Sequence, residues 1–230
     1  MVKSPAEVER IRFVCQSVCD GFDALPTLYV AGDTEEGLAR KLHARLIMQG
    51  IDKVPYMVGA AGPGGYRSAI SSPADKRIGR GDVFIIDTGS TYDGYYCDFD
   101  RNWAFGFASD TAKKAHDIVW QATEAGIKAA RPGMRVCDLW RAQFSVLEPA
   151  GESKLGARMG HAIGLQLTEP PSNKPDDETV LVPGMVMTIE PGLIYGDGLL
   201  MLHEEDVVIT ESGCELLTRR APRELPIIPL

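Results

Sequence analysis

The run Val83-Phe84-Ile85-Ile86-Asp87-Thr88-Gly89-Ser90-Thr91-Tyr92-Asp93-Gly94-Tyr95-Tyr96-Cys97-Asp98 decides how this chain is read. Its apolar opening predicts a buried strand over 83–88, and Asp87 stands at the end of it. Asp93-Gly94 between aromatic residues is a hairpin signal, so the chain is expected to double back. That sets Asp98, eleven residues after Asp87, roughly opposite it on the neighbouring strand. Cross-strand Cβ atoms lie about 4.5–5.5 Å apart, a spacing from which two carboxylates share a metal pair. Without such a partner they repel, and an isolated buried charge is costly. Taken alone, Asp98 reads better as a solvated hairpin end.

Three further side chains sit in comparable places. Glu190 ends Val186-Met187-Thr188-Ile189 just before Pro191-Gly192, and Glu204 opens the run into Val207-Val208-Ile209-Thr210. His161 lies between Gly160 and Ala162, whose small size lets the backbone approach a ligand or another strand closely. Asp87, Asp98, His161, Glu190 and Glu204 are therefore candidates to converge on two divalent ions, which would neutralise the four carboxylates. An oxygen-rich set with one imidazole favours Mn, Fe, Co or Zn. The alternatives are a core-packed His161 and a solvated Glu204-Glu205-Asp206 edge. Strand alternation would put Glu204 and Asp206 on one face and Glu205 on the other.

Outward from this stretch, Ser4-Pro5-Ala6-Glu7 is a helix start, with Ser as N-cap, Pro at the first helical position and Glu at N3. Val8, Ile11, Val14, Cys15, Val18 and Phe22 follow at helical spacing to about Leu25. A second helix is expected from Thr34-Glu35-Glu36 to Gly50, then strands over 54–59, 83–88, 95–99 and 103–107. Ala60-Ala61-Gly62-Pro63-Gly64-Gly65 reads as a loop in close contact with something. From Asp110 the order recurs: a long helix through Ala130, a Pro132-Gly133 break, a helix over 136–147, and strands over 185–190, 194–196 and 201–210. Pro170 to Glu178 reads as surface loop. Two helices followed by strands, occurring twice, predict a duplicated α+β domain with halves of roughly 1–108 and 109–220.

Composition bounds the rest. The chain has 230 residues, 44% hydrophobic and 24% charged, long enough for a full core. A net charge of -8 with no basic patch argues against nucleic acid, and no apolar run has membrane-spanning length. The N-terminus carries no apolar signal core, and five scattered cysteines suit reduced thiols, so a cytoplasmic protein is expected. Cys15 and Cys19 read as core packing on one helix face. A homodimer acting on a small molecule or short peptide is expected.

Asp87-x10-Asp98, Gly160-His-Ala-Ile-Gly164, Thr188-Ile-Glu-Pro-Gly192 and Glu204-x5-Thr210 follow one another in an order that resembles the metallopeptidases that include methionine aminopeptidase, aminopeptidase P and prolidase, with creatinase as a relative. Lys3-Ser-Pro-Ala-Glu-Val-Glu-Arg-Ile-Arg12 is similar to the start of the catalytic domain in the prolidase and creatinase branch. The resemblance implies the pita-bread fold, a dinuclear centre held by those five residues, and bridging roles for Asp98 and Glu204. It also implies an additional N-terminal domain in longer relatives, expected to be absent here. The leading expectation is a metal-dependent hydrolase of the Xaa-Pro dipeptidase or aminopeptidase P type. A creatinase-like C–N hydrolase or lyase and a non-catalytic binding module are the alternatives.

The chain departs from the family at its non-ligand histidines. One should precede Asp87 by about seventeen or eighteen residues, in Ala69-Ile70-Ser71-Ser72, and the other should stand at Thr168. The arginine expected two residues before the last Glu is Leu202, and strand alternation points His203 away from Glu204. Losing a general acid or base costs on the order of 10²- to 10⁴-fold in rate. Poor Xaa-Pro cleavage follows unless Tyr66, Arg67, Ser71 or Thr168 substitutes. Asp100 stands where the family commonly has Thr. It is expected to tune Asp98, to meet a cationic substrate group, or to pair with Arg101.

Overall fold

A computed structural model describes residues 1–150 and 158–230. Helix α1 (Pro5–Leu28) starts on the expected capping box, with the Ser4 side chain accepting from the Glu7 N–H and Glu7 returning the bond to Ser4. It runs one turn past Leu25, with Pro26 inside its last turn. Helix α2 (Glu35–Met48) is capped by Thr34. Four strands follow: β1 (Lys53–Pro63), β2 (Asp82–Tyr92), β3 (Tyr95–Tyr96) and β4 (Phe99–Phe105). β1 runs on through the Ala60–Pro63 stretch read as loop, and the loop's neighbour is Tyr195, whose hydroxyl donates to Gly64 O at 2.6 Å. Of the strands expected over 95–99 and 103–107, the first ends early at Tyr96 and the second starts early at Phe99, with Asp98 in the break between β3 and β4.

Helices α3 (Asp110–Ala129, capped by Ser109) and α4 (Val136–Leu147) come next. The later strands are β5 (His161–Ala162), β6 (Glu169–Ser172), β7 (Val186–Ile189), β8 (Gly192–Tyr195), β9 (Leu199–Leu202), β10 (Glu205–Ile209), β11 (Cys214–Leu216) and β12 (Ile227–Ile228). One sheet has the order β1-β2-β4-β12 with β3 on β2, and the other β11-β10-β7-β5-β6; β8 and β9 form a ribbon. Part of the Pro170–Glu178 stretch is therefore an edge strand, and Asn173 beyond it is fully buried with its amide on Met159 O. β12 returns from the C-terminal end to pair in parallel with β4, which no local signal announces.

Packing explains which way each strand faces. On β2, Phe84 and Ile86 pack with α1 and α2, including Ile11, Phe22 and Leu42. Val83 and Ile85 pack instead with α3, through Ala112, Ala115 and Val119, and with Leu193 and Met201 of the ribbon. Ala130, Leu139, Met187, Ile189 and Val207 form a third cluster under α4 and the second sheet. β2 is thus apolar on both faces, and Asp87, in step with Val83 and Ile85, belongs to the face that packs with α3 and the β8–β9 ribbon. Cys15 and Cys19 are buried in the first cluster, and all five cysteines are free thiols. No helix among the described residues is long and apolar enough to cross a membrane.

Candidate metal centre

The hairpin register refines the expected placement of the first two carboxylates. Asp87 pairs directly with Asp100, and Thr88 with Phe99. The same register holds beyond the break, where Thr91 faces Tyr96 and the Cys97 N–H donates to Ser90 O. Asp98 therefore lies across from Gly89, a diagonal neighbour of Asp87, and the residue directly opposite Asp87 is Asp100. A Cβ at Gly89 would meet Leu167 Cδ1 at 2.2 Å, so glycine here lets Leu167 seat beside Asp98. Asp98 is not at a solvated hairpin end. It is buried, and its main-chain N–H donates to Asp206 Oδ2 at 3.0 Å, the oxygen that also accepts from Cys15 Sγ at 3.3 Å.

The second sheet offers a matching pair. Glu205 faces Ile189 and Asp206 faces Thr188 across β10 and β7, so Glu204 and Glu190 face each other one step past the ladder. His161 follows Gly160, whose φ of +123° and contact with Thr188 O, 2.2 Å from where a Cβ would sit, exclude a larger residue. Its Nδ1 lies 3.0 Å from Ala162 O, so that nitrogen carries the proton and donates. Nε2 is left with its lone pair, 3.3 Å from Asp98 Oδ2. Single donor atoms of Asp98, His161 and Glu204 all fall within 4.8 Å of one another.

All five residues line one cavity of about 290 Å³ between the sheets. Its other walls are Tyr56, Ala69, Ile70, Ile85, Arg158, Leu167, Thr168 and Leu202. Burial, followed by repulsion from Asp98, Asp100 and Glu190, holds the Asp87 carboxyl well above the usual range. Burial and then Glu190, Asp98 and Asp87 do the same to Glu204, and Glu190 is pushed up to about 7 by burial and Asp98. Asp98 is raised by burial although His161 opposes the shift. Asp87 Oδ1, Asp98 Oδ1 and Glu204 Oε1 are buried with no hydrogen-bond donor among the described residues. Buried carboxylate oxygens without donors, a lone-pair imidazole nitrogen and crowded negative charge suit divalent cations, so this donor set fits the metal pair.

The remaining candidates separate. Thr168 is exposed on the cavity rim. Ser71 is exposed and outside the lining; its carbonyl accepts from the Gly59 N–H at 2.9 Å, which ties the segment to β1. Tyr66 is buried beneath the site, donating to Asn102 Oδ1 at 3.1 Å and accepting from the Leu202 N–H at 2.7 Å. Arg67 is exposed and bonds Asp197 O. Asp100 is buried, 1% exposed, and makes no ion pair with Arg101, which bonds its main-chain carbonyl instead. Asp100 is not among the residues that line the cavity, which gives no support to its meeting a cationic substrate group.

The acidic trio is no solvated edge either, because Glu204, Glu205 and Asp206 are all buried. Leu202 lines the cavity where the family arginine was expected, and His203 turns away, its Nδ1 3.1 Å from Thr123 Oγ1. Two lining residues had no signal of their own. Tyr56 reads only as strand, and its phenol is pushed far up by burial and then by Asp87 and Asp98. Arg158, an exposed cation at the cavity, lies in a stretch without periodicity.

Comparison with known proteins agrees with this geometry. The model for metallopeptidase family M24 matches residues 9–211. The chain is 32% identical over 228 residues to an Xaa-Pro dipeptidase of Pyrococcus furiosus, covering 98% of this chain and 65% of that protein. The crystal structure of dipeptidase PepE from Mycobacterium ulcerans superposes with a TM-score of 0.93 at 30% identity, covering all of this chain and 62% of that one. This chain thus spans just under two thirds of the length of these dipeptidases. A methionine aminopeptidase from Rickettsia prowazekii, at 21% identity and a TM-score of 0.85, shares the fold. With a pita-bread architecture and matches along nearly its whole length, the chain belongs to metallopeptidase family M24.

Proposed function

We propose that the chain is a dinuclear metallohydrolase that cleaves an amide bond in a short peptide. The observation that carries this reading is that donor atoms of Asp98, His161 and Glu204 fall within 4.8 Å of one another in the cavity that Asp87 and Glu190 also line, where buried oxygens of Asp87, Asp98 and Glu204 have no donor among the described residues. Asp87, Asp98, His161, Glu190 and Glu204 would hold the ions. Two bound divalent ions supply Lewis acidity and lower the pKa of water. The chain's own residues supply the setting. Asp206 fixes the Asp98 backbone, Ala162 O fixes the His161 tautomer, and Ile85, Leu167 and Leu202 exclude water from one side of the cleft. Among the described residues that line the cavity, Arg158 is the one Arg or Lys, placed to attract a peptide's terminal carboxylate. A cavity of about 290 Å³ is at the small end for ligand sites and suits a dipeptide-sized molecule.

One observation favours a second reading. Ala69, Ile70 and Thr168 line the cavity where the related peptidases are expected to carry histidines, so a C–N bond outside peptides, or a lyase step, remains the rival. The test is turnover of Xaa-Pro dipeptides, other dipeptides and creatine-like amides by metal-loaded protein. We expect weak Xaa-Pro hydrolysis abolished by chelator, and a gain of about 10²-fold in an Ile70→His, Thr168→His variant. No gain in that well-folded variant, with faster wild-type turnover of a non-peptide amide, sinks the peptidase reading.

We also propose that the ions are Mn, Fe, Co or Zn and that the protein works as a cytoplasmic homodimer on a duplicated framework of halves 1–108 and 109–220. The five free cysteines support a reducing compartment. Sedimentation of the purified chain tests the dimer.

A further inference from the structure

Asp100 is a buried charge without an ordinary structural partner. Its Cα stands directly opposite Asp87 across β2 and β4. In the β4 alternation it shares a face with Asn102 and Ala104, the face on which Ala104 packs with α3 and the β8–β9 ribbon. Directly opposed residues have Cβ atoms about 4.5–5.5 Å apart, so the two carboxylates are immediate neighbours. Asp100 Oδ1 is steadied by Asn102 Nδ2 at 3.4 Å, and Asn102 is itself held by Tyr66 and by Leu202 O at 2.8 Å. Oδ2 is buried with no donor among the described residues. One oxygen anchored and one free is the arrangement of a side chain positioned to bind an ion.

Resting on the metal reading above, we propose that Asp100, beside Asp87, would serve as a sixth protein ligand and would bias the centre toward harder, higher-coordinate ions. With five carboxylates, two divalent ions leave one negative charge over, where four would have been neutralised. Carboxylate oxygens favour Mn²⁺ over Zn²⁺, which prefers nitrogen and sulfur donors in a four-coordinate shell. The extra donor also explains why the hairpin places a carboxylate, and not a neutral side chain, opposite Asp87.

Calorimetric titration of metal-stripped wild type, Asp100→Asn and Asp100→Thr with MnCl₂ and with ZnCl₂ tests the assignment, alongside melting temperatures of the metal-free proteins. The Asn variant keeps an oxygen for Asn102, and the Thr variant is a shorter neutral control. We expect both to bind Mn²⁺ about 10- to 100-fold more weakly, with Zn²⁺ much less affected. The metal-free variants should melt at or above the wild-type temperature, because one charge has left a crowded cluster. Unchanged affinities in both variants overturn the proposal. So does an equal loss for both ions accompanied by a lower metal-free melting temperature, the mark of a purely structural aspartate. Wild type that takes up neither ion overturns the metal centre itself, which separates the two failures.

Discussion

Two buried polar clusters lie back to back in this molecule, built from adjacent residues of the same strands. Asp100 and Glu204 belong to one; Arg101 and Glu205, their immediate neighbours, belong to the other. In the second cluster the charges answer each other. Arg101 Nη2 bonds Glu205 Oε2 at 2.9 Å, Thr218 donates to the same oxygen, and Arg220 Nη1 and the Ala221 N–H reach Oε1 at 3.2 and 2.9 Å. Arg101 also donates to Glu204 O at 2.9 Å and Arg219 O at 2.6 Å, and Arg220 Nε, without a hydrogen bond among the described residues, lies 3.6 Å from Glu124 Oε2. The first cluster holds no Arg or Lys pair for Asp87, Asp98, Asp100, Glu190 or Glu204 among the described residues. Burial alone therefore does not tell the two clusters apart; the presence or absence of a cationic partner does. A cluster that satisfies itself stiffens the frame, and one that does not leaves room for an ion.

The sharpest way to break this contrast is Glu204→Gln, which keeps the shape of the side chain and removes one charge. Metal uptake should fall below two equivalents and turnover by about 10³-fold or more, on the scale of losing a charge-stabilising group, with little loss of fold. Elemental analysis and steady-state kinetics check it; wild-type stoichiometry and rate would remove Glu204 from the centre.

Arg101→Met attacks the other cluster and should behave oppositely. Deprived of its partner, Glu205 stays buried with only Arg220 as counterion, a loss of roughly 3 kcal/mol. Denaturant unfolding should show the same destabilisation with and without chelator, because this cluster holds no ion. A loss that appears only in metal-loaded protein would mean that the two clusters are not separate.

The smallest effect, and the one that sharpens the contrast most, is the pH dependence of chelated wild type. Glu190 rises from 4.5 to about 7 in the folded, metal-free chain, and Asp87, Asp98 and Glu204 rise as well. A folded-state pKa above the unfolded one means the folded state binds the proton more tightly. Stability is then full at low pH, below the unfolded value, and is lost as pH climbs through the folded value. Chelation should therefore lower the melting temperature by a few degrees near pH 7 and by less near pH 5, because metal bound only by the folded state adds its own stability. A chelator effect that is equal at both pH values, or absent in metal-containing protein, would show that the ions are not held by these carboxylates.

Much of the site was legible along the chain because its residues end apolar runs. Asp87 and Glu190 close strands, Glu204 opens one, and the glycine before His161 marks a close approach; the structure brings all of them to one cavity. What was not legible depends on register. The hairpin signal said that β2 turns back without saying by how much, and a shift of two residues decides whether Asp98 or Asp100 faces Asp87. Tyr56 and Arg158 reach the cavity because of where β1 and the segment before His161 lie in space, and neither carries a local signature.

Local chemistry thus determined the helices through Ser4, Thr34 and Ser109 as caps, the strands through their apolar runs, and the carboxylates that interrupt those runs. It also determined the family, since motifs in fixed order survive where overall identity is low. Only the tertiary structure decided which of two adjacent acids meets cations and which meets other carboxylates. That choice rests on what the opposite sheet and α1 present to each face of a strand. Glu205 is met by Arg101 and Arg220 and is satisfied, whereas Glu204, one residue earlier and on the other face, is met by Glu190, Asp98 and Asp87 and is not.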